Sequence, residues 1–332
     1  MSPPAPPVTL PVTLSAVDAY FPDREVTVDD VLDDHGLSAA QLRVFRRIHG
    51  LDRMRLDPDL PLIDLLLPAA RDALAAAGGP ERVRHVLYAH AVPQVAPAGT
   101  DTARLLADAL GLAHADAFAV VHHNCAQALV ALDLAADLLR AEGTEGDSAL
   151  IISGERVFTP LIQLDYGLGQ LLADGAAACL LTLGGSGDVI RSHAVHSDPR
   201  PAGEGEQTGE TGVRHLVATM LRAVADAGLV LDDIDLVLPH NVNRTFWRQA
   251  AKALGIPTDK VFLENIPRYS HCFSADPLIN YKTLDDGDRL RPGGNYLMAA
   301  VGVGGSYAAT VLTRPPRPLA TAGDRPSEGS QP

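Results

Sequence analysis

The residue best placed to do chemistry is Cys125. The segment Phe118 to Leu139, FAVVHHNCAQALVALDLAADLL, has the pattern of a buried strand, a tight turn at His123-Asn124 and a long helix. Its apolar positions Leu129, Leu132, Ala136 and Leu139 recur at helical spacing. Cys125 therefore falls in the first turn of that helix, where unpaired backbone amides and the helix dipole favour thiolate over thiol. A thiolate in that setting is a nucleophile toward a thioester. The plain alternative is a small residue that is merely buried, as free cysteine often is.

The elements that must position Cys125 are read from the whole chain. Strand and helix patterns alternate along its length, which predicts an α/β architecture with helices covering both sheet faces. A weak internal repeat runs through it at an offset of about 150 residues. Val83 to Ala89 and Ile234 to Pro239 are matching strands, and the helices after them end alike, in LADALGL (Leu106 to Leu112) and AAKALGI (Ala250 to Ile256). A short strand follows in each half, ADAFAVV from Ala115 and DKVFLEN from Asp259. Each strand then enters a polar turn opening onto a helix, and those turns hold Cys125 and His271. The pairs SALIISG with YLMAAVG, and DGAAACLLTL with GGSYAATVLT, complete the echo. Two βαβ halves related in this way bring equivalent strand ends to one site. The repeat therefore predicts that Cys125, His240 and His271 converge.

Bulk composition narrows the classes of function. The formal charge of −14 repels nucleic acid and anionic membranes at long range, so neither is expected as a partner. Cys125, Cys179 and Cys272 lie far apart, with no zinc spacing, so no metal or disulfide framework is expected. The pair His122-His123 invites a metal reading, but neighbours on an extended strand point to opposite faces. No segment has the length of uninterrupted apolar sequence that a membrane span needs, and the start lacks a leader pattern, so the expected location is the cytoplasm. The expected organisation is a flexible start over 1–10, halves over 11–185 and 186–313, and a Pro/Gly/Ser-rich disordered tail over 314–332.

From Leu14 to Leu312 the chain resembles 3-ketoacyl-ACP synthase III and its relatives in the thiolase superfamily. The resemblance is carried, in order, by FPDREVT, RRIHGLDRMRL, HNCAQALVALDLA, LLADGAAACLL, LPHNVNRTFWRQAAKALGI, SHCFSADP and AAVGVGGSYAATVL. It implies a thiolase-like fold of two pseudo-symmetric halves in α-β-α-β-α layers, with Cys125 carrying the acyl group. It also implies that His240 assists decarboxylation or proton transfer and that Asn243 orders the same loop. The backbone amides of Cys125 and Val303, the latter in the Gly302-Val303-Gly304-Gly305 turn, are implied to form an oxyanion hole.

His271 departs from the family, which has asparagine there. A Cys-His-His set resembles instead the elongating ketosynthases, in which two imidazoles donate hydrogen bonds to a thioester carbonyl. Histidine also accepts a proton, so His271 could activate a hydroxyl or amine acceptor. The expected reaction is ping-pong acyl transfer, with condensation onto a malonyl-type carrier-protein thioester and loss of carbon dioxide, in a fatty-acid, polyketide or other secondary pathway. Transfer to oxygen or nitrogen is the alternative, and a catalytically silent scaffold a less favoured one. No resident cofactor is expected, because phosphopantetheine arrives on the carrier-protein substrate. Arg244, Arg248 and Lys252, at i, i+4 and i+8, form a basic stripe suited to an acidic carrier protein. Val44 and Ile48 stand where housekeeping relatives clamp coenzyme A, and Tyr166-Gly167 brings no basic residue, which favours a carrier-protein donor. The superfamily also implies a homodimer. Acyl pocket depth is assigned to Val92 to Ala98 and to the loop from Thr159 to Gln170.

Overall fold

The computed structural model describes residues 10–75, 80–159, 163–165, 168–198 and 209–316. Residues 1–9 and 317–332, the bulk of the expected flexible start and tail, lie outside the described residues, as do 160–162 and 166–167 of the expected pocket loop. Arg314, at the expected start of the tail, ion-pairs with Asp188 and Asp285 and donates to Leu290 O.

Nine strands build the main sheet: β1 (Val12–Tyr20), β2 (Val83–Ala89), β3 (Asp116–Val120), β4 (Ser148–Glu155), β5 (Gly175–Leu183), β6 (Asp188–Ser197), β7 (Leu236–Pro239), β8 (Asn295–Gly302) and β9 (Ser306–Thr313). Their order is β7-β8-β9-β6-β1-β5-β4-β2-β3. At the centre, β1 and β6 pair only at Thr13 with Val189 and Leu14 with Asp188. Outward from that seam the two halves repeat each other. β1-β5-β4 and β6-β9-β8 are antiparallel neighbours, and then β4-β2 and β8-β7 are parallel. This is the internal repeat of the sequence, seen as topology.

One expected strand is much reduced. DKVFLEN, the counterpart of β3, contributes a single bridge between Val261 and Val237. The cause is local, since the Val261 N–H closes a 3-10 turn onto Thr258 O and Phe262 N–H alone donates to Val237 O.

The strands are apolar on both faces because both faces are covered. On β4, Ala149 and Ile151 face one core while Leu150 and Ile152 face another. On β8, Tyr296, Met298 and Ala300 join that first core, and Leu297, Ala299 and Val301 a third. The shared middle core receives α3 (Gln127–Glu142) and α6 (Asp276–Asp286). The outer cores receive α1 (Leu62–Ala75) with α2 (Thr102–Ala109), and α4 (Glu210–Asp226) with α5 (Arg244–Leu254). The layers therefore run α-β-α-β-α. Each fully buried leucine in them is worth roughly 1.5 to 3 kcal/mol of apolar transfer. Helices α2 and α5 end at Gly111 and Gly255, whose φ values of 74° and 75° suit a left-handed cap.

The two middle helices start at the turns that carry Cys125 and His271, so burying α3 and α6 side by side brings these turns together. Gly302 closes the arrangement from β8. A Cβ on it would lie 2.0 Å from His123 O, so only glycine lets the Gly302-Gly305 turn approach the Cys125 turn this closely. Gly302→Ala is expected to lower stability by about 1 to 3 kcal/mol through overpacking. The check is the thermal midpoint, read beside the rate of Cys125 acylation, which falls with it.

Candidate active site

Cys125 lies in a 3-10 turn, Asn124–Ala126, between β3 and α3, and is 5% exposed. The chain reaches it through two left-handed non-glycine residues, His122 (φ 83°) and Asn124 (φ 49°). β3 ends at Val120, so His122 and His123 belong to this turn and not to an extended strand. The His123 N–H donates to Gln127 Oε1.

His271 comes from the other half. It is fully buried, and its turn is clipped to the chain before β5 by His271 N to Leu171 O (3.1 Å) and Ala173 N to His271 O (2.9 Å). Its Nε2 lies 3.1 Å from Cys125 Sγ. Its Nδ1 makes a short contact with Asp276 Oδ2. The structure thus holds a Cys125-His271-Asp276 relay across the interface of the two halves.

Asp276 is fully buried and saturated with donors. Its Oδ2 also accepts from Asn241 N at 2.5 Å, and Oδ1 accepts from Cys272 N at 2.8 Å and Asn241 Nδ2 at 3.3 Å. It opens helix α6, where the dipole also favours negative charge. Burial by itself would push the His271 imidazole down, but the facing Cys125 sulfur and the Asp276 carboxylate outweigh it and push it up to about 10.

His240 follows β7, and its ring centroid is 5.6 Å from that of His271, with the ring planes 71° apart. Trp247 Nε1 donates to His240 O at 2.7 Å, and Phe246 and Trp247 pack edgewise on the ring. Burial first, and the neighbouring His271 second, push His240 well below its ordinary pKa, so it stands neutral. Asn243 caps α5 by accepting from Phe246 N (2.8 Å) and donates to Leu168 O (2.9 Å), which orders this loop.

The amides of Cys125 and Val303 converge on one point. Both donate to Asn124 Oδ1, at 2.9 Å and 3.1 Å. Around the sulfur, Ala91, Leu172 and Phe273 form an apolar wall, with Val92 and Val157 packed against it. Behind that wall Glu155, fully buried, accepts from Ala91 N and Val92 N at 2.7 Å each. Burial pushes Glu155 up to about 8 against the pull of those two amides and the His271 charge.

Arg244, Arg248 and Lys252 follow one another along α5, with Arg248 and Lys252 exposed. The Arg244 stem passes beside Gly50, and Thr245 Oγ1 donates to Ile48 O. The stripe therefore continues onto the helix carrying Arg43, Arg47 and the exposed Val44 and Ile48. Trp247 is buried within α5.

Sequence reasoning missed Asp276, Glu155 and Asn124. Asp276 carried one signal, an acid five residues after His271 at a helix start. Asn124 was visible only as the neighbour of Cys125. Glu155 ends an apolar strand with nothing to set it apart.

Layering, strand order and the cysteine at the head of a buried helix define a thiolase-fold acyl-transferring enzyme. Residues 121–199 match the family model for 3-oxoacyl-[acyl-carrier-protein] synthase III, and residues 224–314 match its C-terminal model. The beta-ketoacyl-[acyl-carrier-protein] synthase III of Rhizorhabdus wittichii is 32% identical over 271 residues, covering 75% of this chain and 82% of that one. In fold, the acyltransferase ChlB3 superposes with a TM-score of 0.81 at 22% identity, over 92% of this chain and 98% of that one. The priming beta-ketosynthase of the R1128 polyketide pathway gives a TM-score of 0.80 at 22% identity, over 95% and 99%. The chain belongs to the beta-ketoacyl-[acyl-carrier-protein] synthase III family.

Two outcomes follow from the relay. Asp276→Asn removes the charge that holds the imidazolium, and Cys125 acylation by an activated thioester is expected to slow on the order of 100-fold at pH 7. The second concerns stability. The folded His271 pKa of about 10 lies above its ordinary 6.5. Its contribution is fully present below pH 6.5 and is lost as pH rises through 10. The stability difference between wild type and His271→Gln, from denaturation midpoints at several pH values, should narrow across that window.

Proposed function

We propose that this enzyme loads an acyl group from a thioester donor onto Cys125 and condenses it with a malonyl-type carrier-protein thioester, releasing carbon dioxide. The observation that carries this is the Cys125 Sγ to His271 Nε2 contact of 3.1 Å beside two converging amides. The sulfur attacks the donor carbonyl while its proton rests on His271. The oxyanion is held by the Cys125 and Val303 N–H groups, an arrangement worth about 3 to 4 kcal/mol per donor. Collapse breaks the donor carbon–sulfur bond, and His271 returns the proton to the departing thiolate. The malonyl carboxylate then leaves as carbon dioxide, and neutral His240 donates to the enolate oxygen. The enolate carbon attacks the acyl-cysteine, and the Cys125 thiolate departs.

One observation favours a second reading. Once Cys125 is acylated, Asp276 leaves His271 as a strong general base, suited to removing the proton of a hydroxyl or amine acceptor. That transfer gives an ester or amide and no carbon dioxide.

The donor is read as an acyl carrier protein, because the chain is strongly acidic and yet Arg43, Arg47, Arg244, Arg248 and Lys252 have no acidic partner among the described residues. Phosphopantetheine then enters with that substrate, and no resident cofactor is needed. A homodimer is read from β3, one of the two edge strands, whose Ala117, Phe118 and Ala119 line a groove of roughly 700 Å³ together with residues 93–102. Among the described residues no helix is long and apolar enough to cross a membrane. All three cysteines are free, which fits a reducing cytoplasm.

Intact mass after incubation with acyl-carrier protein should show one acyl adduct on wild type and none on Cys125→Ala. No adduct with any donor would sink the reading, and product mass with carbon dioxide release separates the two acceptor classes. Charge reversal at Arg244 and Arg248 should cut carrier-dependent turnover at least about tenfold while sparing a small thioester. Equal loss with both substrates would exclude docking there.

A further inference from the structure

Asn124 places its side chain where a substrate atom is needed. Its Oδ1 accepts from Cys125 N (2.9 Å), from Val303 N (3.1 Å) and from the Cys125 thiol (3.0 Å). Two of these donors are backbone N–H groups, so the atom between them is the carboxamide oxygen and not the nitrogen. An amide oxygen held by the Cys125 and Val303 amides has the position and chemistry of a thioester carbonyl oxygen. The far end of the side chain is loosely held, with Nδ2 3.5 Å from Ala91 O, and the residue is only partly buried. Val303, on the other side of the hole, is 49% exposed.

We propose that Asn124 is a removable occupant of the oxyanion hole: it fills the carbonyl site of the resting enzyme and must swing out for an acyl thioester to enter. This rests on Cys125 being the nucleophile and adds to it a residue that controls when the sulfur is reactive. With Asn124 inside, Oδ1 accepts the S–H proton, and a lone pair 3.0 Å from sulfur opposes formation of a thiolate. With Asn124 outside, that opposition is gone: the sulfur gives up its proton to solvent and rests as a thiolate against the His271 imidazolium, and the donor carbonyl takes the vacated amides. Only a ligand that replaces the lost hydrogen bonds, an acyl carbonyl, opens the site. Small electrophiles and oxidants offer no such replacement. The backbone is compatible with the device: Asn124 holds a φ of 49°, a conformation asparagine tolerates better than most residues.

The test uses iodoethane, which alkylates the sulfur and has no carbonyl to take the two amides. Alkylation of Cys125 at pH 7 is followed by peptide mass on wild type, Asn124→Gly and Asn124→Asp. Glycine adopts a φ of 49° without strain and removes the occupant, so alkylation should quicken at least about fivefold, and the KM for the acyl donor should fall. Aspartate is nearly isosteric and brings negative charge beside the sulfur, so alkylation should slow. Opposite signs for the two variants, with Cys179 and Cys272 unchanged in reactivity, support the gate. Equal or slower alkylation of Asn124→Gly overturns it, as does a change of the same sign in both variants. If no thioester acylates any variant while the two alkylation rates still diverge, the acyl-transfer reading fails and the gate stands.

Discussion

The site depends on a buried carboxylate kept charged. An ionised group taken out of water costs several kcal/mol unless partners replace the lost hydration. Asp276 meets that demand with the His271 imidazole, two backbone N–H groups and a side-chain amide. Each of these donors belongs to a piece of the site. Cys272 N fixes the His271 turn, and Asn241 fixes the loop that carries His240. Asn280, one α6 turn further on, donates to Pro239 O and Asn241 Oδ1, so the helix that opens with Asp276 also holds the end of β7. One carboxylate thereby sets the spacing of both histidines.

The pseudo-twofold explains why such a network forms at all. Each half drives a long helix from a strained turn into the shared middle core. In the first, His122 and Asn124 take positive φ beside Cys125. In the second, Ser270 (55°) and Phe273 (52°) do so beside His271. Left-handed non-glycine residues cost on the order of 1 to 3 kcal/mol each and persist where surrounding packing determines them. Here the packing is that of α3 and α6, which bury most of their surface in the same core. The strain aims a sulfur and an imidazole at each other across a seam at whose centre β1 and β6 share two residue pairs.

Legibility in the sequence followed how local each cause was. Strand-turn-helix context marked Cys125, because a nucleophile at a helix start leaves a continuous pattern. The repeat marked His271, because equivalent turns occupy equivalent places even without a shared residue type. Val261 shows the limit of that logic, since a single 3-10 turn consumed the hydrogen bond that a full strand required. Asp276 was hidden because an acid before proline at a helix start is ordinary surface grammar, and only the tertiary fold reveals that this one is buried. Asn124 was hidden for a different reason. Its partner Val303 lies 179 residues away, and neither residue type signals the meeting.

The two histidines are not interchangeable, and their difference is electrostatic more than positional. His240 has no carboxylate partner among the described residues and has a cationic neighbour, so burial keeps it neutral and able to donate one hydrogen bond without carrying charge. His271 has a carboxylate on one side and the sulfur on the other, and these two outweigh the burial and strengthen its hold on a proton. An asparagine in place of His271 could donate but never take up the proton released by Cys125. A histidine here needs a buried counter-charge, because an imidazolium without Asp276 would be expelled from so dry a site, and the Asp276 network supplies that charge.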